Sequence, residues 1–176
     1  MNQLLLLLGV DLAIMTSPLS ATPWGIPGGA IVNEIDGKPS ICVPEQARES
    51  VAVHSISVSE SQLHKGERLT MWQVELEPEV TPALLRPGDC ITYGEKLPGY
   101  KQLVSARFLQ VAVDYYARIN LVVANPTRQS IIFYDAVFCV GQKIGGGLHY
   151  HQYKYERDGK VVKPACGDDF GGVSPH

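Results

Sequence analysis

The sequence is poor in the features that mark nucleic acid-binding proteins. Lysine and arginine contribute 15 residues against 18 aspartate and glutamate residues, which gives a net charge of −3 over 176 residues. The basic residues never form a run. Because a protein that binds DNA or RNA needs clustered lysine and arginine to neutralise phosphates, we expect no nucleic acid partner.

The common signatures of enzymes are missing as well. There is no G-x-S-x-G elbow and no C-x-x-C pair. The glycines at 145–147 lead into LHYHQYKY, whose alternation is typical of a strand, whereas a phosphate-binding loop leads into the first turn of a helix. These glycines are therefore interpreted as a hairpin connection. We expect a protein that is not an enzyme and uses no cofactor.

No long segment of the mature chain carries an apolar stripe with helical spacing, and the best helix candidate is the short stretch Glu45–Ser50. An apolar period of two dominates instead. In LTMWQVELE, Trp72, Val74 and Leu76 share one face, which predicts a half-buried strand. The run QSIIFYDAVFCV is apolar on both faces, as is typical of a central strand.

Shorter strand candidates alternate with turn signals such as Asp36-Gly37 and Lys65-Gly66. The further candidates are ARINLVVAN, AIVNEI, PSICVP, VAVHSISVS, CITYG, FLQVAV and LHYHQYKYE. Short strands separated by glycine and proline turns predict an all-β fold, an antiparallel β-sandwich of about eight strands with an immunoglobulin-like arrangement. We expect one domain over residues 22–163 and a loose C-terminal tail over 164–176.

The first 21 residues have the layout of a signal peptide, with an apolar stretch from Leu4 to Met15 followed by small residues and proline. This stretch is too short to span a bilayer as a mature helix. No basic residue precedes it and Asp11 interrupts it, so a buried N-terminal helix of a cytosolic protein is the alternative. Leu19-Ser20-Ala21-Thr22 is similar to a lipobox that lacks its cysteine, and without the thiol no lipid can be attached.

Four cysteines support export. Their even number, without any zinc-type spacing, predicts one or two disulfides. Three pairings are possible, and we expect the strand cysteines to pair in preference to the one in the tail. The alternative is four buried thiols that pack as small apolar side chains. The candidates are Cys42, Cys90, Cys139 and Cys166.

His149 and His151 form the most suggestive ligand pair, because residues two apart on a strand face the same side. A zinc site needs further ligands, for which His54, His64 or the pair Asp168-Asp169 are the candidates. A histidine-rich edge strand is more common than a metal site, so we predict no metal and keep these two histidines as weak candidates.

Four stretches carry a family resemblance: ICVP (41–44), MWQVEL (71–76), CITYG (90–94) and YDAVFCV (134–140). Their order resembles a family of small enterobacterial periplasmic lipoproteins regarded as immunity proteins of type VI secretion systems, over about Ile31 to Val140. The resemblance implies a periplasmic protein that binds and neutralises a cognate toxin without catalysis. Because Thr22 replaces the lipobox cysteine, we expect a soluble protein that does not insert into a membrane once its leader is removed.

Binding of a toxin requires a contact surface, and the longer predicted loops 59–68, 77–89 and 95–102 are the candidates. Arg68, Arg86 and Tyr100 in these loops are of the types that dominate the energetics of interfaces. Two other functions stay open: a structural or adhesive surface subunit, and a metal-binding periplasmic protein that uses His149 and His151.

The leader gives the first testable prediction. Because residues 1–21 resemble a signal peptide and Thr22 offers no thiol, we expect the mature protein to begin near Thr22 and to carry no fatty acid. N-terminal sequencing of the periplasmic protein and growth with a labelled fatty acid check both points. A mature sequence beginning at Met1, or incorporation of the label, would contradict the prediction.

Overall fold

A computed structural model describes residues 25–156 and 158–166, and the leader, Thr22, Asp168 and Asp169 lie outside the described residues. None of the described segments forms a helix that is long and apolar enough to span a bilayer. The described residues form thirteen strands, of which β6, β12 and β13 contain two residues each. The strands are β1 (Ile26–Gly29), β2 (Ile31–Ile35), β3 (Lys38–Cys42), β4 (Val51–His64), β5 (Glu67–Leu76), β6 (Leu84–Leu85), β7 (Cys90–Thr92), β8 (Tyr100–Val104), β9 (Asp114–Leu121), β10 (Ile131–Gln142), β11 (Leu148–Gln152), β12 (Lys154–Tyr155) and β13 (Val161–Val162).

Two sheets enclose the core. The large sheet has the order β1-β10-β9-β4-β5-β8, with β11 paired to β10 and β6 paired to β4. Strand β1 is parallel to β10, and the other described pairs of this sheet are antiparallel. The small sheet has the order β2-β3-β7. The expected all-β, sandwich-like fold is confirmed.

The core lies between the two sheets because alternate residues of each strand point inward. Trp72 on β5 is fully buried and meets Tyr93, the residue after β7, in an edge-to-face contact with ring centroids 5.5 Å apart. Ile56 and Ile119 from the large sheet and Ile41 from the small sheet are also fully buried. Alternation explains the inner face of β9, whereas consecutive residues are buried in β3 and near the end of β10.

Tyr93 also fixes the connection between β8 and β9. Its hydroxyl lies 3.0 Å from the carbonyl oxygen of Met71 and 2.9 Å from that of Arg107, and it accepts a hydrogen bond from the Arg107 amide at 3.2 Å. Burial raises the pKa of Tyr93 to about 12. The hydroxyl therefore remains a neutral hydrogen-bonding group at physiological pH.

The stretch FLQVAV was predicted as a strand, and that prediction is wrong. Its backbone amides bond to groups that interrupt an extended run: Gln110 donates to the Tyr115 hydroxyl at 2.7 Å, and Ala112, with a positive φ of 62°, donates to the Val140 carbonyl at 2.8 Å. The helix candidate Glu45–Ser50 is also wrong, because a turn in which Ala47 donates to Pro44 begins there.

Strands β1 and β8 were not predicted from the sequence. β1 has the sequence IPGG, and pairing with β10 holds it in place. β8 pairs with β5 and forms an edge of the large sheet. The predicted loop 59–68 is instead mostly strand, because β4 and β5 continue into a hairpin with Lys65 and Gly66 at its turn.

Two disulfides join the four cysteines. Cys42 and Cys90 link adjacent positions of β3 and β7, and Cys139 on β10 links to Cys166. The expected disulfides are thus confirmed: one bond joins two strand cysteines, and the tail cysteine, which was expected to pair less readily, is bonded as well. Disulfides persist in oxidising compartments, so they indicate an exported protein.

The disulfides yield the second prediction. They close loops with sequence separations of 48 and 27 residues, so removing the first or second should cost about 4 or about 3.5 kcal/mol of unfolding free energy on the chain-entropy estimate. Urea unfolding of the paired serine variants, Cys42→Ser with Cys90→Ser and Cys139→Ser with Cys166→Ser, measures both. Unchanged stability of both variants, or free thiols in the wild-type protein by non-reducing mass spectrometry, would refute it.

Candidate protein-binding surface

The outer face of the large sheet, which points away from the core, carries a cluster of charged and aromatic side chains. On β9, Tyr115 and Ala117 point into the core, so Tyr116 and Arg118 point outward. Pairing places Asp135 of β10 directly beside Arg118. We call the set Arg68, Tyr116, Arg118 and Phe133, with Asp135, the arginine–aromatic row.

Guanidinium groups and rings alternate along this row. The Arg68 guanidinium carbon lies 4.7 Å from the centroid of the Tyr116 ring. That of Arg118 lies 5.2 Å from the same centroid and 3.8 Å from the centroid of Phe133. Such cation–π contacts each contribute about 0.5–2 kcal/mol, depending on how far they are desolvated. The contacts hold long side chains in one conformation before any partner arrives.

A hydrogen-bond network fixes the centre of the row. The Tyr116 hydroxyl donates to Asp135 Oδ2 at 2.7 Å and accepts from Arg118 Nε at 2.7 Å. A guanidinium nitrogen of Arg118 lies 3.7 Å from the same carboxylate oxygen. Burial, followed by the hydrogen bond to Asp135, raises the pKa of Tyr116 to about 12. The hydroxyl therefore stays protonated and continues to donate.

Small side chains on β4 lie beside the row. Ser57 is paired with Arg118 and Ser59 with Tyr116. Two residues from Ser57, Ser55 accepts a hydrogen bond from the Asn120 side-chain amide at 2.8 Å. Because serine projects little from a sheet, the arginines and rings stand above their neighbours. A rigid surface with arginine and tyrosine at its centre has the composition of a protein interface.

The three contact residues predicted from the sequence lie in different parts of the fold. Arg68 belongs to the arginine–aromatic row. Arg86 lies between β6 and β7, where its Nε is 3.3 Å from Asp89 Oδ2 and its side chain is 79% exposed. Tyr100 begins β8, and its hydroxyl donates to the Val53 carbonyl at 2.6 Å and accepts from the Ala83 amide at 3.1 Å. Tyr100 thus ties β8 to the start of β4.

His149 and His151 lie side by side on β11, with ring centroids 4.1 Å apart. The His149 ring lies over Gly141 of β10, where an added Cβ would be 1.9 Å from its Nε2. The candidate third ligands His54 and His64 instead lie close to Glu75 and Glu60. Over 25–156 and 158–166, no group of three or more histidine, cysteine, aspartate or glutamate side chains is arranged to hold a metal ion.

Sequence reasoning identified Arg68 but missed the rest of the row. The alternation in DYYARIN places Tyr116 and Arg118 on one face, so these two residues of the row could have been predicted from the sequence. The places of Phe133 and Asp135 depend on the pairing of β9 with β10, and that of Arg68 depends on the pairing of β4 with β9 and β5. Neither is encoded locally, because pairing register joins residues that are distant in sequence.

The raised pKa of Tyr116 gives the third prediction. Because the folded-state pKa of about 12 exceeds the unfolded value near 10, the row's contribution to stability is complete below pH ~10 and is lost as the pH rises towards ~12. Tyr116→Phe should cost about 1 kcal/mol at neutral pH and should lose less stability than wild type between these pH values. Urea unfolding across the pH range measures both effects.

Tyr93 titrates in the same range in both proteins, so the difference between wild type and Tyr116→Phe isolates Tyr116. Tyr155→Phe is the matched control, because Tyr155 is 63% exposed. Identical alkaline profiles for wild type and Tyr116→Phe would contradict the assignment.

In comparisons with known proteins, no protein-family model, characterised protein or solved structure matches the chain. The immunoglobulin-like arrangement and the family resemblance stay predictions from the sequence. A function for this surface has to be argued from its residues.

Proposed function

We propose that this protein binds a protein toxin and neutralises it in the periplasm, as a type VI secretion immunity protein with no turnover of its own. The resemblance through ICVP, CITYG and YDAVFCV supplies the class of partner. The observation that carries the proposal is the arginine–aromatic row, whose residue types and rigid mounting suit the recognition of another protein.

Rigidity matters for this function because an inhibitor must occupy its target before the target acts. Ordering each long side chain at an interface costs about 0.5–1.5 kcal/mol. In the row, Arg118 is already held by Tyr116, Phe133 and Asp135. Much of this cost is therefore met during folding, which favours tight and fast binding.

The charges of the row indicate what it recognises. Arg68 and Arg118 supply two positive charges, and Asp135 balances one of them. Arg68 is exposed and its guanidinium carbon lies over the Tyr116 ring, so an edge of the guanidinium is accessible to a partner. Arginine binds carboxylates through this edge with paired hydrogen bonds. A toxin surface with a carboxylate beside an apolar patch fits the row.

The compartment is consistent with this proposal. Two disulfides require an oxidising environment, and the periplasm provides one. The disulfides also join β3 to β7 and the C-terminal segment to β10. Both links restrain the sandwich that supports the row.

The fourth prediction tests the interface directly, and its probe is the toxin that the proposal expects a neighbouring gene to encode. Periplasmic expression of the wild-type protein should protect cells from that toxin, and the purified proteins should form a complex. Arg68→Ala should weaken the complex by about tenfold or more, the loss typical of an interface anchor. Binding is measured by calorimetry and protection by survival after toxin expression.

Arg86→Ala is the matched control, because Arg86 is an exposed arginine outside the row. Equal losses for Arg68→Ala and Arg86→Ala would place the interface elsewhere. Replacing both His149 and His151 by alanine should leave protection intact, whereas a metal-dependent function requires the opposite. Lack of protection, with no complex at micromolar concentration, would overturn the proposed function.

A further inference from the structure

A disulfide fixes Cys166 on the outer face of the large sheet, the face that carries the arginine–aromatic row. Phe138 of β10 points inward, where its ring centroid lies 5.6 Å from that of Tyr115. Its neighbour Cys139 therefore points outward, and Cys139 is bonded to Cys166. Asp135 of the row stands four residues before Cys139 on the same strand and on the same face.

An ion pair holds the residues before Cys166 on this face as well. Lys163 Nζ lies 2.8 Å from Asp114 Oδ2, and Asp114 stands two residues before Tyr116 on β9. The Lys163 ammonium also lies 5.8 Å from the centroid of the Tyr153 ring. Residues 163–166 thus lie next to the row, anchored at two points.

The distance from Cys166 to the centre of the row is short. The Cα atoms of Cys139 and Cys166 are 5.9 Å apart. Val137, which pairs with Tyr116, is two residues from Cys139, or about 7 Å along the strand. Each residue after Cys166 advances the chain by up to about 3.5 Å. Two or three residues therefore suffice to reach the Tyr116 ring and the Arg68 guanidinium that lies over it.

The residues at this distance along the chain have the chemistry for which the row is suited. Cys166 is followed by Gly167, Asp168, Asp169 and Phe170, all four of which lie outside the described residues. Two carboxylates next to a phenyl ring match a carboxylate beside an apolar patch. The glycine before them lets the chain take a wide range of directions.

Arg68 supplies the charge that such a segment needs. Arg118 shares Asp135, whereas no carboxylate within 25–156 and 158–166 lies at ion-pair distance from Arg68. Glu60 and Asp114, the acidic side chains on the two neighbouring strands, have other partners. A guanidinium that is always charged and has no described counter-ion favours an anionic occupant.

We propose that the segment 168–170, Asp-Asp-Phe, docks on the arginine–aromatic row of its own chain, with a carboxylate at Arg68 and the Phe170 ring against the aromatic side chains. The Cys139–Cys166 bond acts as the tether, since a short tether gives a local concentration of the order of millimolar. The row is then covered by an internal competitor that a protein partner has to displace.

A cross-linking experiment on the full mature protein tests where the segment lies. A water-soluble carbodiimide joins an ammonium and a carboxylate that are in contact as an amide, and the reagent takes up the water that is lost. In the variant Arg68→Lys, peptide mapping of the monomer should find an amide between the introduced lysine and Asp168 or Asp169. Arg86→Lys is the matched control and should form no such bond. Amides from these aspartates to other lysines only, such as Lys154, would overturn the proposal.

Arginine modification tests the same contact with Arg68 unchanged. Phenylglyoxal should modify Arg68 about two- to fivefold faster in the double variant Asp168→Asn with Asp169→Asn than in wild type, the factor expected from one exposed ion pair. High salt should remove the difference, because it screens exposed charges. Arg86 should react equally in both proteins, and circular dichroism should show the same fold. Equal rates for Arg68 at low salt would overturn the proposal.

Neither experiment requires a toxin, so the outcome is independent of the proposed function. If the segment docks but wild type does not protect cells, the docking stands and the immunity function fails. If protection depends on Arg68 while the modification rates are equal, the immunity function stands and the docking fails. Where both hold, the double asparagine variant should bind the toxin about two- to fivefold more tightly, because its row is unoccupied. An unchanged affinity would contradict the role of the segment as a competitor.

Discussion

The contact between Trp72 and Tyr93 holds together the two sheets and the connection between β8 and β9. Trp72 is fully buried on the large sheet, and the Tyr93 ring reaches it from the small sheet. The Tyr93 hydroxyl then bonds to the backbone of Arg107, so a single side chain links three parts of the molecule. The outer face depends on this contact as well, because its strands keep their positions only while their inner side chains stay packed.

The sequence contained enough information for the fold class but not for the arrangement of the strands. Alternation in LTMWQVELE correctly predicted the burial of Trp72 and Val74, because period two is a local property of a strand with one face in the core. The same reasoning failed for FLQVAV. There, hydrogen bonds to Tyr115 and Val140 replace pairing, and those partners become neighbours only after folding. Strand β1 was missed for a related reason, since IPGG is a strand only because β10 lies beside it.

The residues of the candidate site were likewise predicted only in part. Arginine and tyrosine were recognised as residue types suited to an interface, which identified Arg68. Which of them share a surface depended on register. Arg68 reaches Tyr116 across the one intervening strand, β4, whereas the Tyr100 hydroxyl donates to the Val53 carbonyl. For the cysteines, the even count predicted that disulfides form, but only the fold shows that Cys139 pairs with Cys166. Residue chemistry is local, whereas the grouping of residues into a surface is not.

Because β1 is parallel to β10, the first and last described residues lie at opposite ends of β10. This arrangement matters when the protein is attached to a solid support. Ile26 lies beside Ile131 at the start of β10, whereas Cys166 is bonded to Cys139, near the end of β10 and on the side of the sheet where the β4–β5 and β10–β11 hairpins turn. A linker placed before residue 25 therefore leaves the hairpins facing the solution. A linker placed after residue 166 starts close to the hairpins and can obstruct the approach of a large partner to them. Sensor chips loaded through opposite ends of the chain would thus expose different surfaces of the same protein.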